Sequence, residues 1–140
     1  MPAAFHSSST AAQDYLEQIY RLIGAKGYAR VADIAAALEI APASVTAMIK
    51  RLDGDGLVVY EKYRGVVLTA AGRDLAEEVV KRHDVLARLL RSFGLDEQTI
   101  YQDVEGMEHH ISKATLRVLT TLVEELDQNP QLVQKLRERL

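Results

Sequence analysis

The sequence predicts a mainly α-helical protein with one small β-hairpin, arranged as a winged helix-turn-helix followed by a helical layer. Apolar residues recur at helical spacing along most of the chain, and two β-rich runs flank a glycine-containing turn near its middle. Three short helical stripes come before that turn and several after it, which is the succession a winged helix requires.

Residues 11 to 23 place Tyr15, Ile19, Leu22 and Ile23 at helical spacing, and Gly24 with Gly27 is expected to end the run. Residues 31 to 38 put Ile34, Ala35 and Leu38 on one face of a second helix. Pro42 suits the first position of a third, where its missing N–H costs nothing. Val45, Met48, Ile49 and Leu52 then follow at i, i+3, i+4 and i+7, leaving Ala43, Ser44, Thr46, Ala47, Lys50 and Arg51 outside. Residues 57 to 60 and 66 to 68 form the hairpin, with Lys62 and Arg64 at its tip. Thr69 is expected to cap a long helix running to about Phe93, weakened in its first turn by Gly72 and closed by Gly94. Another helix runs from Asp96 to about Ile111. Ser112 caps one carrying Leu116, Leu119, Leu122, Val123 and Leu126, and Asn129-Pro130 opens the last. The expected organisation is a disordered leader over 1–10, a winged-helix domain over 11–70 and a helical domain over 71–140.

The chain has 140 residues, 48% of them hydrophobic, enough to build a core. It has no cysteine, so a bound metal must be held by oxygen and imidazole. The first ten residues lack the basic and apolar regions of a signal peptide, and no apolar run is long enough for a membrane helix; a cytoplasmic protein is expected. The net charge of −3 argues against nucleic acid until its distribution is read. Residues 1–70 carry seven basic and seven acidic side chains, residues 71–140 ten and thirteen. The deficit lies wholly in the second half, so the first is the place to look for DNA contacts.

A recognition helix entering the major groove needs small or polar residues near its start and basic ones further on. Pro42, Ser44, Thr46, Lys50 and Arg51 meet that need, while Lys62, Arg64 and Arg30 are placed to reach phosphates. An ordinary solvated face has the same composition; the order of helix, turn, helix and basic hairpin favours DNA.

Glu105, Glu108 and His109 fall at i, i+3 and i+4 of one predicted helix, Asp14 and Glu17 at i and i+3 of another, and His83 midway along the long helix between Arg82 and Asp84. Each group alone reads equally as an exposed polar face. Together, four carboxylates and two imidazoles meeting where helices converge would repel unless a divalent cation joined them. Oxygen and nitrogen donors without sulfur suit manganese or ferrous iron.

The segments Asp14-Tyr15-Leu16-Glu17-Gln18-Ile19-Tyr20, Gly27-Tyr28-Ala29-Arg30-Val31, Tyr60-Glu61-Lys62-Tyr63-Arg64-Gly65 and Asp103-Val104-Glu105-Gly106-Met107-Glu108-His109-His110 carry a resemblance. With them the chain resembles the diphtheria-toxin-repressor family, in its manganese-transport-regulator branch, from about Asp14 onward. The resemblance implies a two-ion site at Asp14, Glu17, His83, Glu105, Glu108 and His109. It implies two Mn2+ ions per subunit, with Fe2+, Zn2+, Cd2+ or Co2+ able to substitute, and a homodimer that represses metal-uptake genes from a palindromic operator. Iron-responsive members tend to carry sulfur where this chain has Asp14 and Glu108, which points to manganese. His110 is expected to project away from the site, as packing or support. The rivals are an iron-responsive repressor of the same family, a di-metal hydrolase or oxygenase on a helical bundle, and a small-molecule-responsive regulator without metal.

Overall fold

The computed structural model describes residues 9–140, so most of the expected leader lies outside the described residues. Its last two positions belong to structure. Ser9 caps α1 (Thr10–Lys26) by accepting the Ala12 N–H at 3.1 Å. The helix continues through Gly24 and closes only at Gly27, which takes φ 84° and donates its N–H to the Ile23 carbonyl. A glycine inside a helix costs about 1 kcal/mol. Burying Tyr15, Leu16 and Ile19 outweighs that at roughly 1.5–3 kcal/mol for each large side chain.

The chain forms two compact units, Met1–Val79 and Val80–Leu140. In the first, α2 (Val31–Leu38) and α3 (Pro42–Gly54) meet at 111°, within the range of a helix-turn-helix. Strands β1 (Val58–Glu61) and β2 (Gly65–Leu68) pair antiparallel, from Val58 opposite Leu68 to Glu61 opposite Gly65. Leu16, Ile19, Ile34, Val45, Leu52, Val58 and Val66 make the core, and Leu75 and Ala76 of α4 (Ala70–Ser92) join it. This unit therefore runs past position 70 and takes the start of the long helix with it.

Two close approaches fix the hairpin's surroundings. The Val66 N–H donates to the Ala29 carbonyl at 2.7 Å, and a Cβ on Gly65 (φ 80°) would lie 2.5 Å from that same oxygen. Only glycine fits there. Thr69 accepts the Gly72 N–H at 3.1 Å and donates to the Gly56 carbonyl at 2.7 Å, so the expected cap forms. Gly72, however, is no mere weakness: a Cβ at this position would stand 1.9 Å from the Leu57 carbonyl oxygen.

The second unit holds the rest of α4, then α5 (Glu97–Met107), a single 3-10 turn (Glu108–His110), α6 (Lys113–Asp127) and α7 (Pro130–Arg137). Asp96 caps α5 by accepting the Thr99 N–H at 2.7 Å, and Ser112 caps α6 by accepting the Thr115 N–H at 3.1 Å. Leu86 and Ala87 pack with Ile100 and Val104; Val85 packs with Leu116 and Val123. The expectation of one helix from Asp96 to Ile111 is corrected here. The α-helix ends at Met107 and the chain tightens to three residues per turn before Ile111 turns extended. No single helix among the described residues is long and apolar enough to cross a membrane.

Candidate metal centre and nucleic-acid interface

In the second unit, α4 and the 3-10 turn bring chemistry-bearing side chains together. Glu108 is fully buried, and its Oε2 lies 2.7 Å from His83 Nδ1 on α4. Its Oε1 lies 3.4 Å from Nε2 of His109, whose side chain is 2% exposed. Glu105, one turn back on α5, offers an oxygen within 4.8 Å of ligand atoms of both Glu108 and His109. The four therefore lie close together around Glu108, with Glu108 and His109 on the 3-10 turn rather than on the helix that carries Glu105. His110 is exposed.

Arg82 was read from the sequence only as a neighbour of His83. It is in fact fully buried, and its Nε donates to the Ile111 carbonyl at 2.9 Å, tying α4 to the end of the 3-10 turn. Its period gave the signal. Leu75, Val79, Arg82 and Leu86 recur at intervals of four, three and four, so Arg82 occupies the apolar stripe of its helix.

In the first unit, Asp14 and Glu17 lie one turn apart on α1. Asp14 is partly buried and Glu17 almost wholly so, at 3% exposure. Arg21 pairs with Glu17 from the next turn at 3.0 Å. The sequence reading passed over Arg21, although Glu and Arg at i and i+4 are a recognisable helical pair.

A divalent cation fits this donor set. A buried carboxylate beside a second carboxylate is costly without a counter-charge, and every donor is a carboxylate oxygen or an imidazole nitrogen. His83 and His109 each present a ring nitrogen to Glu108, so imidazole and carboxylate donors are already gathered in one place.

The first unit exposes the side chains expected to face DNA. Pro42, Ala43, Ser44, Thr46, Ala47, Lys50 and Arg51 of α3 are exposed while Val45, Ile49 and Leu52 are buried. The Thr46 hydroxyl donates to the Pro42 carbonyl at 3.1 Å, so its proton is committed to the helix backbone. At the hairpin tip the Arg64 guanidinium lies 3.5 Å from Glu61, and Lys62 stands over the Tyr63 ring. The Arg30 guanidinium stacks 4.7 Å above the centroid of Tyr28, a partner the sequence reading missed. The Ala29–Gly65 bridge sets this arginine beside the hairpin.

Asp33 steadies the same corner. It accepts from Lys26 Nζ at 3.2 Å and from the Arg30 backbone N–H at 3.3 Å, and the Lys26 contact foremost holds its carboxyl below the usual carboxylate range. A lowered pKa adds stability above the unfolded value that is lost as pH falls through the folded one. Asp33→Asn will therefore melt at a lower temperature than the parent at pH 7, and the gap will close as both are taken to strongly acidic pH. Melting curves across that range check it.

The profile of the iron-dependent repressor N-terminal DNA-binding domain matches residues 8–66, and that of the iron-dependent repressor metal-binding and dimerisation domain matches residues 69–136. The chain belongs to the iron-dependent repressor family. Among its relatives, the HTH-type transcriptional regulator MntR of Lysinibacillus sphaericus (strain C3-41) is 52% identical over 124 residues, covering 89% of each chain. The fold is similar to that of the manganese regulator SloR, with a TM-score of 0.71 and 25% identity over 81% of this chain and 53% of that one. It is similar also to ScaR with bound Zn2+, at a TM-score of 0.67 and 27% identity over 81% and 53%. The chain thus spans about half the length of these two solved relatives. Members of the iron-dependent repressor family are transcriptional regulators and not enzymes, which removes the di-metal hydrolase or oxygenase from consideration. The protein is a DNA-binding regulator with a metal-binding and dimerisation domain.

Proposed function

We propose that this regulator is a manganese-responsive repressor whose six side chains Asp14, Glu17, His83, Glu105, Glu108 and His109 hold two divalent ions per subunit. The observation that carries the reading is the buried Glu108 carboxylate between the imidazoles of His83 and His109. That SloR is a manganese regulator and ScaR a manganese-activated repressor supports the choice of manganese, as does a donor set without sulfur. Zn2+ bound to ScaR supports substitution by other divalent ions.

Asp14 and Glu17 lie on the unit that carries the recognition helix, and the other four ligands lie on the other unit. Ions held by both sets link the two units. When bound, they supply positive charge that relieves repulsion among carboxylates. The protein's own part is to keep the buried donors gathered and to present α3 and the hairpin at the spacing of successive half-sites. Moving such an equilibrium from 1:99 to 99:1 takes about 5.5 kcal/mol of differential binding, within reach of several charge-assisted ligands. Val118 and Leu122 on α6 and Leu132 on α7 remain exposed at 43–66%, an apolar surface suited to a homodimer that reads a palindromic operator in the cytoplasm. Arg30, Pro42, Ser44, Thr46, Lys50, Arg51, Lys62 and Arg64 are the DNA contacts of this reading.

The test is a DNA-binding titration against a palindromic operator with manganese, ferrous iron, zinc or no metal. Manganese should tighten binding by about 100-fold or more. Stronger activation by ferrous iron at matched occupancy favours the iron-responsive alternative, and indifference to every metal overturns both.

A further inference from the structure

Arg21 lies one helical turn beyond Glu17 on α1, and both its Nε and its Nη2 stand 3.0 Å from the same carboxylate oxygen, Oε2. The Glu17 side chain is 4% exposed, whereas that of Arg21 is 39% exposed. A permanently charged guanidinium is thus fastened to a carboxylate that is otherwise hidden from water. We propose that Arg21 is a built-in cation that competes with the divalent ion for Glu17 and thereby sets the metal concentration at which the protein switches. The proposal rests on the reading of Glu17 as a metal ligand.

Two effects act in the same direction. In the metal-free protein the guanidinium neutralises part of the charge on Asp14 and Glu17, which makes the empty arrangement easier to hold. With an ion present, the same fixed positive charge repels it across a short, poorly screened distance. Hydrogen bonds drawn to Oε2 also leave that oxygen a weaker donor to a metal. The opposing effect would be orientation, since Arg21 restrains the Glu17 side chain. Burial already restrains that side chain, so the electrostatic effects prevail and Arg21 lowers metal affinity. The pair lies within one helix at i and i+4, so it forms locally in the metal-free protein.

The experiment measures manganese affinity of the full chain by competition with a fluorescent chelator. The variants are Arg21→Met, Arg21→Gln, Arg21→Lys, Glu17→Gln and Glu17→Gln/Arg21→Met, each also melted without metal and titrated with operator DNA. Arg21→Met and Arg21→Gln should bind manganese about tenfold more tightly and reach half-maximal operator binding at correspondingly lower manganese. Without metal they should melt at lower temperature, while Arg21→Lys stays near the parent. In the Glu17→Gln background, Arg21→Met should tighten manganese binding by clearly less than in the parent, because only the through-space repulsion of the ion and the charge on Asp14 remain. Weaker or unchanged manganese binding in both charge-removing variants overturns the proposal while leaving Glu17 as a ligand. If Glu17→Gln binds manganese as the parent does, the ligand assignment fails first and takes the proposal with it.

Discussion

Glu108→Gln will all but abolish the response to manganese while leaving a folded protein. The substitution keeps the shape and one carbonyl oxygen facing His83, but removes the only fully buried carboxylate of the site. Loss of a buried charged ligand is expected to weaken metal binding by about 100-fold or more. The metal-free protein should melt no lower than the parent, because the change relieves a buried negative charge set beside Glu105. In the parent, manganese at 100 times its dissociation constant adds about 2.7 kcal/mol of stability. Calorimetric melts with and without manganese should show that gain in the parent and at most about 0.4 kcal/mol in the variant, together with operator binding that hardly responds to metal at that concentration. A large loss of metal-free stability would mean that Glu108 is a structural core residue instead.

Gly72→Ala will destabilise the first unit, and the sign of the effect is the informative part. Were Gly72 only a poor helix former near the start of α4, alanine would add about 1 kcal/mol of stability. A Cβ 1.9 Å from the Leu57 carbonyl oxygen and 2.9 Å from its carbon demands that backbone move away from backbone. The expected cost is about 2–4 kcal/mol, in the range of overpacked sites. Urea denaturation of the metal-free protein measures it. The displaced segment is the entry to β1, so the hairpin's contribution to operator affinity should fall with it.

These two positions also show where a sequence speaks and where it is silent. Helix periodicity, the Ser112 and Thr69 caps, Pro42 at the head of α3 and the hairpin were all legible, because each depends on residues within a few positions of one another. Gly72 was misjudged since its partner, Leu57, lies fifteen positions earlier and the contact depends on packing. The 3-10 turn at Glu108 was missed because a period of 3.0 and one of 3.6 are indistinguishable over three residues. The convergence of Glu105, Glu108 and His109 survived that error, as adjacent turns keep i, i+3 and i+4 close in either geometry. His83 was placed by type and could not be placed by distance, since 25 residues separate it from the carboxylate it meets. Arg82 went unrecognised because a charged residue is ordinarily assigned to the surface, even when its period puts it on the buried stripe.

The most direct measurement is the number and affinity of manganese ions bound per chain, by equilibrium dialysis, in the parent and in an Asp14→Asn/Glu17→Gln variant. If ligands from the DNA-reading unit share ions with those of the dimerisation unit, the parent takes up two ions and the variant fewer, more weakly held. Identical uptake by both proteins would contradict the account, because the reading heads would then carry no part of the metal.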